Sequence, residues 1–386
     1  MEEDDDQTRP TAEDSDSENK DVEEPETPHY QVEVAEAVKR GENVVFTVHT
    51  TIPATQKGYV VLRQFEDLEW LHHNLVTANN VEGVIVPPLP VKPITDPKSA
   101  ESLSRRQFGS NTKVMKGDQF ELDCRSVQKY LQLMLSHQVF GQDKNLAKFL
   151  TDEEPPVRAR VSKGLMMRLS SAIDNARKGG HKDVDDYFAG QRNFANEFSK
   201  YMKEASLNYN KLLVAQWRLS SSYRLLATEL TSCTAERDEE LVKLNRILKV
   251  LSDACEDEAT CYEMKSSQGE LTVGFCWDLF ARYSDSLKDM HLRRTSALIE
   301  YETCEKVLEK AKPAKKAAAE EAYEAAKKTF EHSSEVGKQE ISSFTQLRLS
   351  NASDAMATYA EQQMKISQDF YTQLFHSRKA LLELQL

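Results

Sequence analysis

Apolar positions in the C-terminal half of this chain recur at steps of three and four, the signature of long helices with one buried face. One stripe runs through Val184, Tyr187, Phe188, Phe194, Phe198 and Tyr201 to Leu212 and Leu213. A second runs Phe275, Leu279, Tyr283, Leu287, Met290, Arg294 and Leu298, and a third continues from Ile341 and Phe344 to Phe370 and Leu374. Prolines are almost absent: after Pro156 only Pro313 interrupts the pattern. Breaks are expected near Ser266–Gly269 and at Pro313, giving three long helices, with a bend in the first near Thr231–Glu239. At 1.5 Å per residue, Lys315 to Leu386 alone would extend about 100 Å. A rod of that length cannot bury its stripe on itself, so neighbouring helices and a second chain are expected. Trp277, Phe280 and Tyr283 read as core or dimer anchors.

The N-terminal half has a different rhythm. Gln31–Ala37 alternates apolar and polar positions, Val44–His49 and Tyr59–Arg63 are short apolar runs, and Arg40-Gly41-Glu42-Asn43 is a turn between the first two. Helices are predicted over Glu66–Asn79, Phe120–His137 and Asp143–Leu150. Between them lies Val86-Pro87-Pro88-Leu89-Pro90-Val91-Lys92-Pro93, which proline holds extended. Residues 94–119 read as polar and irregular. These elements describe a small α+β domain with a three-stranded sheet, ahead of an all-α domain. The expected organisation is an acidic disordered tail over 1–28, the α+β domain over 29–152, a basic linker over 156–180 and the helical domain over 183–386.

Charge changes this picture in one respect. The chain carries a net charge of -13, but residues 1–28 hold thirteen Asp or Glu against Arg9 and Lys20. The rest is close to neutral, so attraction to anionic lipid must come from local patches, and nucleic-acid binding is not supported. The acidic N-terminus is unlike a signal or transit peptide. No apolar run approaches the roughly 18 residues needed to span a bilayer. The six cysteines have neither CxxC nor zinc spacing, so no metal or cofactor is expected. No glycine-rich phosphate loop, HExxH or nucleophile elbow is present, and His72 and His73 read as surface residues; an enzyme is not expected.

Three stretches in order carry a resemblance. Arg63-Gln64-Phe65-Glu66-Asp67-Leu68-Glu69-Trp70-Leu71, then Pro87-Pro88-Leu89-Pro90-Val91-Lys92, then Val127-Gln128-Lys129-Tyr130-Leu131 resemble the signature segments of a phox-homology (PX) domain. Lys182-Asp183-Val184-Asp185-Asp186-Tyr187-Phe188 and Leu292-Arg293-Arg294-Thr295-Ser296-Ala297-Leu298 resemble a sorting-nexin BAR domain. The chain is thus similar to the PX-BAR sorting nexins, and to the subgroup that includes sorting nexins five and six. The resemblance implies a phosphoinositide pocket in which Phe65 stacks on the inositol ring and Lys92 meets a phosphate. It also places Gln64 and Asp123 where headgroup arginines belong, which removes charge-assisted contacts and speaks against tight 3-phosphoinositide binding. Arg63 precedes the pocket position and reads as structural. In the subgroup a groove beside the polyproline loop captures cargo tails; Phe120 aligns with its phenylalanine, or else is a core residue of the following helix.

Val157, Val161, Leu165, Leu169 and Ile173 share a face flanked by Arg158, Lys163 and Arg168. That pattern fits a helix lying in a membrane interface, or a linker helix packed on the next domain. Lys312, Lys315 and Lys316 cluster at the expected bundle tip beside Pro313, as a lipid contact or a solvated turn. By resemblance, the protein is a cytoplasmic, peripheral protein of early endosome membranes and tubules. Its BAR dimer, with itself or another sorting nexin, would sense or make curvature, and its PX domain would help select the cytoplasmic tails of cargo receptors for retrograde or recycling transport. The alternative is a soluble scaffold, for instance a motor/dynactin adaptor, brought to membranes by a partner sorting nexin.

Overall fold

The computed structural model describes residues 29–108, 120–156, 181–233 and 239–384. In the N-terminal part, β1 (Gln31–Arg40), β2 (Asn43–Ile52) and β3 (Lys57–Gln64) form an antiparallel sheet in the order β1-β2-β3. Gly41, at φ 65°, makes the tight turn between β1 and β2, a conformation glycine adopts without steric cost. A bulge between Val34 and Glu36 bends β1 at the sheet edge. α1 (Phe65–Ala78) starts directly from β3, where Asp67 accepts the Gln64 N–H at 2.7 Å. α3 (Glu121–Ser136) and α4 (Lys144–Thr151) complete the layer over the sheet, and Asp143 caps α4 by accepting the Asn145 N–H. Phe46, Val48, Leu68, Leu71, Leu131, Met134 and Phe149 form the shared core.

The stretch read as irregular contains a helix, α2 (Pro97–Phe108). Its start is set by Asp96, whose carboxylate accepts both the N–H and the Oγ–H of Ser99 at 2.8 and 2.7 Å. Among its described side chains it buries Ala100 and Ser104, small residues that add little to an apolar pattern.

The helical half contains α5 (Asp186–Ser232), α6 (Glu239–Gly269), α7 (Phe275–Glu309) and α8 (Lys316–Leu384). A π-turn over Glu270–Gly274 joins α6 to α7 without interruption, so the break expected near Ser266–Gly269 is not one. α5 and α6 are instead separate helices on either side of residues 234–238, which lie outside the described residues. The result is three long rods, because α6, the π-turn and α7 act as one. Lys310 to Lys316 turn the chain into α8 through a short 3-10 segment, Pro313–Lys315.

Small residues allow α5 and α6 to approach closely. Ser252 Oγ donates to the Ala227 carbonyl at 2.8 Å and Ser266 Oγ to the Leu213 carbonyl at 3.0 Å. Ser220 and Ala259, both fully buried, sit midway between these bonds on their helices. Near the start of α5, Arg294 of α7 is a hub. It donates to Asp183 Oδ2 at 2.7 Å and to Ser334 Oγ at 2.9 Å, and its guanidinium lies over the rings of Phe188 and Phe330.

The two halves pack on each other. Ile85 and Leu133 enter one apolar cluster with Phe188, Tyr283, Met290 and Phe344. Arg293 donates to the Val84 carbonyl at 2.6 Å and Arg282 to the Leu89 carbonyl at 3.1 Å, so α7 holds the entry to the proline-rich loop and its middle. Glu340 of α8 accepts the Ile85 N–H at 3.0 Å and lies 3.3 Å from His137 Nε2. Since His137 Nδ1 accepts from the Val139 N–H, Nε2 carries the proton and donates to Glu340.

Candidate functional site

The strand-to-helix corner and the proline-rich loop meet as the sequence implies. Phe65 opens α1, and Lys92 Nζ lies 5.9 Å from the centre of its ring. The electrostatics differ from a phosphate cradle. Lys92 Nζ pairs with Glu66 Oε1 at 2.7 Å, and that carboxylate raises its pKa. Gln64 accepts a bond from Asn43 Nδ2 at 3.2 Å and presents no cation. Asp123, half-buried on α3, has its carboxyl pushed up to about 6 by burial. Arg63 turns away from this corner: it is buried, and its Nε donates to the Phe149 carbonyl at 3.0 Å while its ring contact is with Phe149. It ties β3 to α4, a structural role.

His72 is not a surface residue. It is half-buried, sits 3.1 Å from the Tyr130 hydroxyl, and has its pKa lowered to about 4, first by burial and then by His73.

A second feature is a crevice of about 690 Å³ between the sheet edge and the helical bundle. One wall is β1 at its bulge, Val34 to Ala37, with α3 as far as Gln132; the other is the π-turn with α7 and α8. Phe120 stands on the first wall, half-buried and packed on the sheet core, so it is a core residue that also faces the crevice. The edge of β1 is partly occupied, since Gln128 Oε1 accepts the Val34 N–H at 2.9 Å and Gln132 Nε2 donates to the Val32 carbonyl at 3.5 Å.

Comparison with known proteins matches residues 53–153 to the PX domain model. That match begins after β2, so the first two strands are assigned to the domain by their pairing with each other and with β3. Human Sorting nexin-6 is 25% identical over 357 residues, covering 87% of each chain. Human Sorting nexin-32 is 26% identical over 360 residues, covering 87% of this chain and 89% of that one. The fold is that of a solved SNX-BAR structure, the Mvp1 tetramer, with a TM-score of 0.56 over 91% of this chain and 99% of that one at 12% identity. Along most of its length the chain is similar to PX-BAR sorting nexins. That similarity supports a membrane-associated trafficking role.

The remaining predicted residues of the chain fall in two places. Lys310, Lys312, Lys315 and Lys316 are all exposed around the turn between α7 and α8. Val157, Arg158, Val161, Lys163, Leu165, Arg168, Leu169 and Ile173 lie outside the described residues, as does the tail over 1–28. Their exit point is fixed: His181 pairs with Glu302, Asp183 with Arg192 and Arg294, and Asp185 with Lys338. The feature that residue-level reading missed is the distribution of exposed apolar side chains. Of the first predicted stripe, Phe188 and Leu213 are buried, whereas Tyr187, Phe194, Tyr201 and Leu212 are exposed. Leu212, Leu219 and Leu226 repeat at seven-residue steps along α5, with Leu244, Ile247 and Leu251 on α6 and Met356, Met364, Tyr371 and Phe375 on α8. From Leu287 to Ile341, by contrast, Val307 is the one large apolar side chain exposed among the described residues. No described helix is long and apolar enough to cross a membrane, and the described residues include no group of three or more His, Cys, Asp or Glu placed for a metal.

Proposed function

We propose that this chain dimerises, with itself or with another sorting nexin, through the half of its bundle remote from the lysine tip, and that the dimer is a curved, peripheral coat element on early endosome membranes and tubules. The observation that carries this is the one-sided exposure of apolar side chains. Heptad-spaced leucines on α5 beside a Met- and Tyr-bearing face of α8 form a surface that water tolerates poorly and a second bundle would cover. The tip lysines at the other end would then meet anionic lipid, each contributing about 1 kcal/mol near the surface. The segment with Leu165 and Leu169 would add insertion into the interface.

The PX part would select cargo tails through the crevice beside β1 rather than grip a 3-phosphoinositide. Supporting this is the corner where Glu66 already neutralises Lys92 and Gln64 replaces a guanidinium. That same corner favours a second reading, a soluble adaptor, of motor/dynactin or a similar complex, that reaches membranes only through a partner sorting nexin with a charged pocket.

Liposome flotation separates the two. On the first reading the purified chain floats with vesicles containing phosphatidylserine and phosphoinositide, and Leu165→Glu with Leu169→Glu abolishes flotation. On the second, the chain floats only when a partner sorting nexin is added.

A further inference from the structure

The seam between the two halves contains a cleft of about 240 Å³, separate from the crevice beside β1. Ile85 and Leu133 form its PX wall, and Tyr283 of α7 with Phe344 of α8 forms the other. All four side chains are buried, and the Tyr283 and Phe344 rings lie 5.1 Å apart. His137 and Glu340 also line the cleft and meet there at 3.3 Å. Two polar groups are left incomplete. The Ile85 N–H and His137 Nε2 both donate to Glu340 Oε2, which leaves Oε1 without a partner among the described residues. Tyr283 is only 4% exposed, yet its hydroxyl makes no hydrogen bond among the described residues. Burial, and after it the Glu340 carboxylate, raises the pKa of that phenol, so the hydroxyl keeps its proton. An enclosed polar group left unpaired is unfavourable and points to something that completes it. The lining holds a carboxylate and no lysine or arginine. Arg282, next to Tyr283 in the chain, is taken up by Asp278 and the Leu89 carbonyl.

We propose that this cleft is a binding site for a small organic ammonium, a primary amine on a compact apolar body, held between the PX part and the bundle. The body would lie against Ile85, Leu133 and the Phe344 ring, where its apolar surface leaves water. The ammonium would donate to Glu340 Oε1 and to the lone pair of the Tyr283 oxygen, a charge-assisted bond at a place where no resident cation competes. The Tyr283 and Phe344 rings add attraction for positive charge. A neutral molecule of the same shape keeps the apolar contacts and loses the charged one, and an anion is repelled by Glu340. At about 240 Å³ the cleft is smaller than the roughly 300–1,000 Å³ of sites for drug-sized ligands, so one ring with a short chain is the scale that fits. Because one wall comes from each half, the ligand binds only the docked arrangement and would clamp the PX part to the bundle. The dimer and cargo readings above neither require this site nor follow from it.

The test is titration calorimetry of the full chain with phenethylamine and with its neutral twin, phenethyl alcohol. The amine is expected to saturate a single site and to bind at least about tenfold more tightly than the alcohol. Glu340→Gln keeps an acceptor for the Ile85 N–H and should bring the two ligands within about twofold of each other. Tyr283→Phe should weaken the amine about fivefold. Ser343→Trp, at an exposed position on the edge of the cleft, should abolish amine binding by filling it. Saturating amine should raise the melting temperature of the intact chain and leave that of Ser343→Trp where it is. The same melts report that each variant is folded; if Glu340→Gln is not, the amine–alcohol comparison and Ser343→Trp decide. Equal binding of amine and alcohol overturns the proposal, because Glu340 then selects nothing. Amine binding to Ser343→Trp as tight as to the intact chain places the amine elsewhere on the molecule and overturns it as well, as does the absence of saturable amine binding.

Discussion

The Arg294–Asp183 pair is almost wholly enclosed, with side-chain exposures of 2% and 3%. Taking such charges out of water is costly, and the offset comes from geometry: carboxylate, hydroxyl and two aromatic faces surround one guanidinium. Removing one partner strands the other. Arg294→Ala should therefore cost about 3–5 kcal/mol of stability, read from urea unfolding, with Asp183→Asn close behind. Buried histidines make a second prediction. His72 and His291 have pKa values near 4, in both cases chiefly through burial, with Arg192 and Arg294 adding to the effect at His291. Between pH 6.5 and about 4 the unfolded chain binds protons that the folded chain refuses, so stability is full above that window and falls as pH drops through it. Asp123 opposes this below pH 6, because its carboxyl is raised in the folded state. Urea midpoints at pH 7 and pH 5 should differ for the intact chain, and His72→Gln with His291→Gln should flatten the difference. At this scale Arg63 was legible in the sequence from its place one residue before the pocket position. The burial of His72 was not, because it depends on Tyr130, far away in sequence.

At the scale of elements, close backbone approach explains where glycine was needed. Gly83 has φ 78°, and a Cβ there would lie 2.4 Å from the Ser333 carbonyl oxygen and 2.9 Å from the Gly337 nitrogen. The proline-rich loop and α8 touch backbone to backbone at that point. Gly83→Val should prise the two halves apart, seen as a lower melting temperature and faster proteolysis in the loop, whereas Gly58→Val, where no atom lies within 4 Å of a Cβ, should not. Gly269 teaches the converse. In the sequence it reads as a helix break, yet a Cβ there would meet Leu213 Cδ2 at 2.8 Å and Tyr209 Oη at 3.0 Å, so the glycine serves packing in a helix that continues as a π-turn. The strands, the proline loop and the turn at Pro313 were legible because apolar alternation and proline act locally. α2 was hidden because the described side chains that it buries, Ala100 and Ser104, are small. The docking of Arg282, Arg293 and Glu340 onto the loop was hidden because surface-type residues give no periodic signal of an interface.

Across the whole molecule, one arm is sealed and the other is open. The π-turn keeps α6 and α7 in one rod, the PX half covers α7, and between Leu287 and Ile341 Val307 is the one large apolar side chain exposed among the described residues. The remote half leaves leucines, methionines and aromatics of three helices in water. The most direct test is sedimentation equilibrium of the full chain, alone and mixed with a related PX-BAR sorting nexin, beside a variant carrying Leu219→Glu, Tyr371→Glu and Phe375→Glu. The intact chain should sediment at twice its 44.0 kDa mass, with itself or with its relative, and the variant at the single-chain mass while keeping its helical content. An intact chain that stays at the single-chain mass in both samples across the working concentration range would mean that the open half needs no second chain, and the proposed coat element would fall with it.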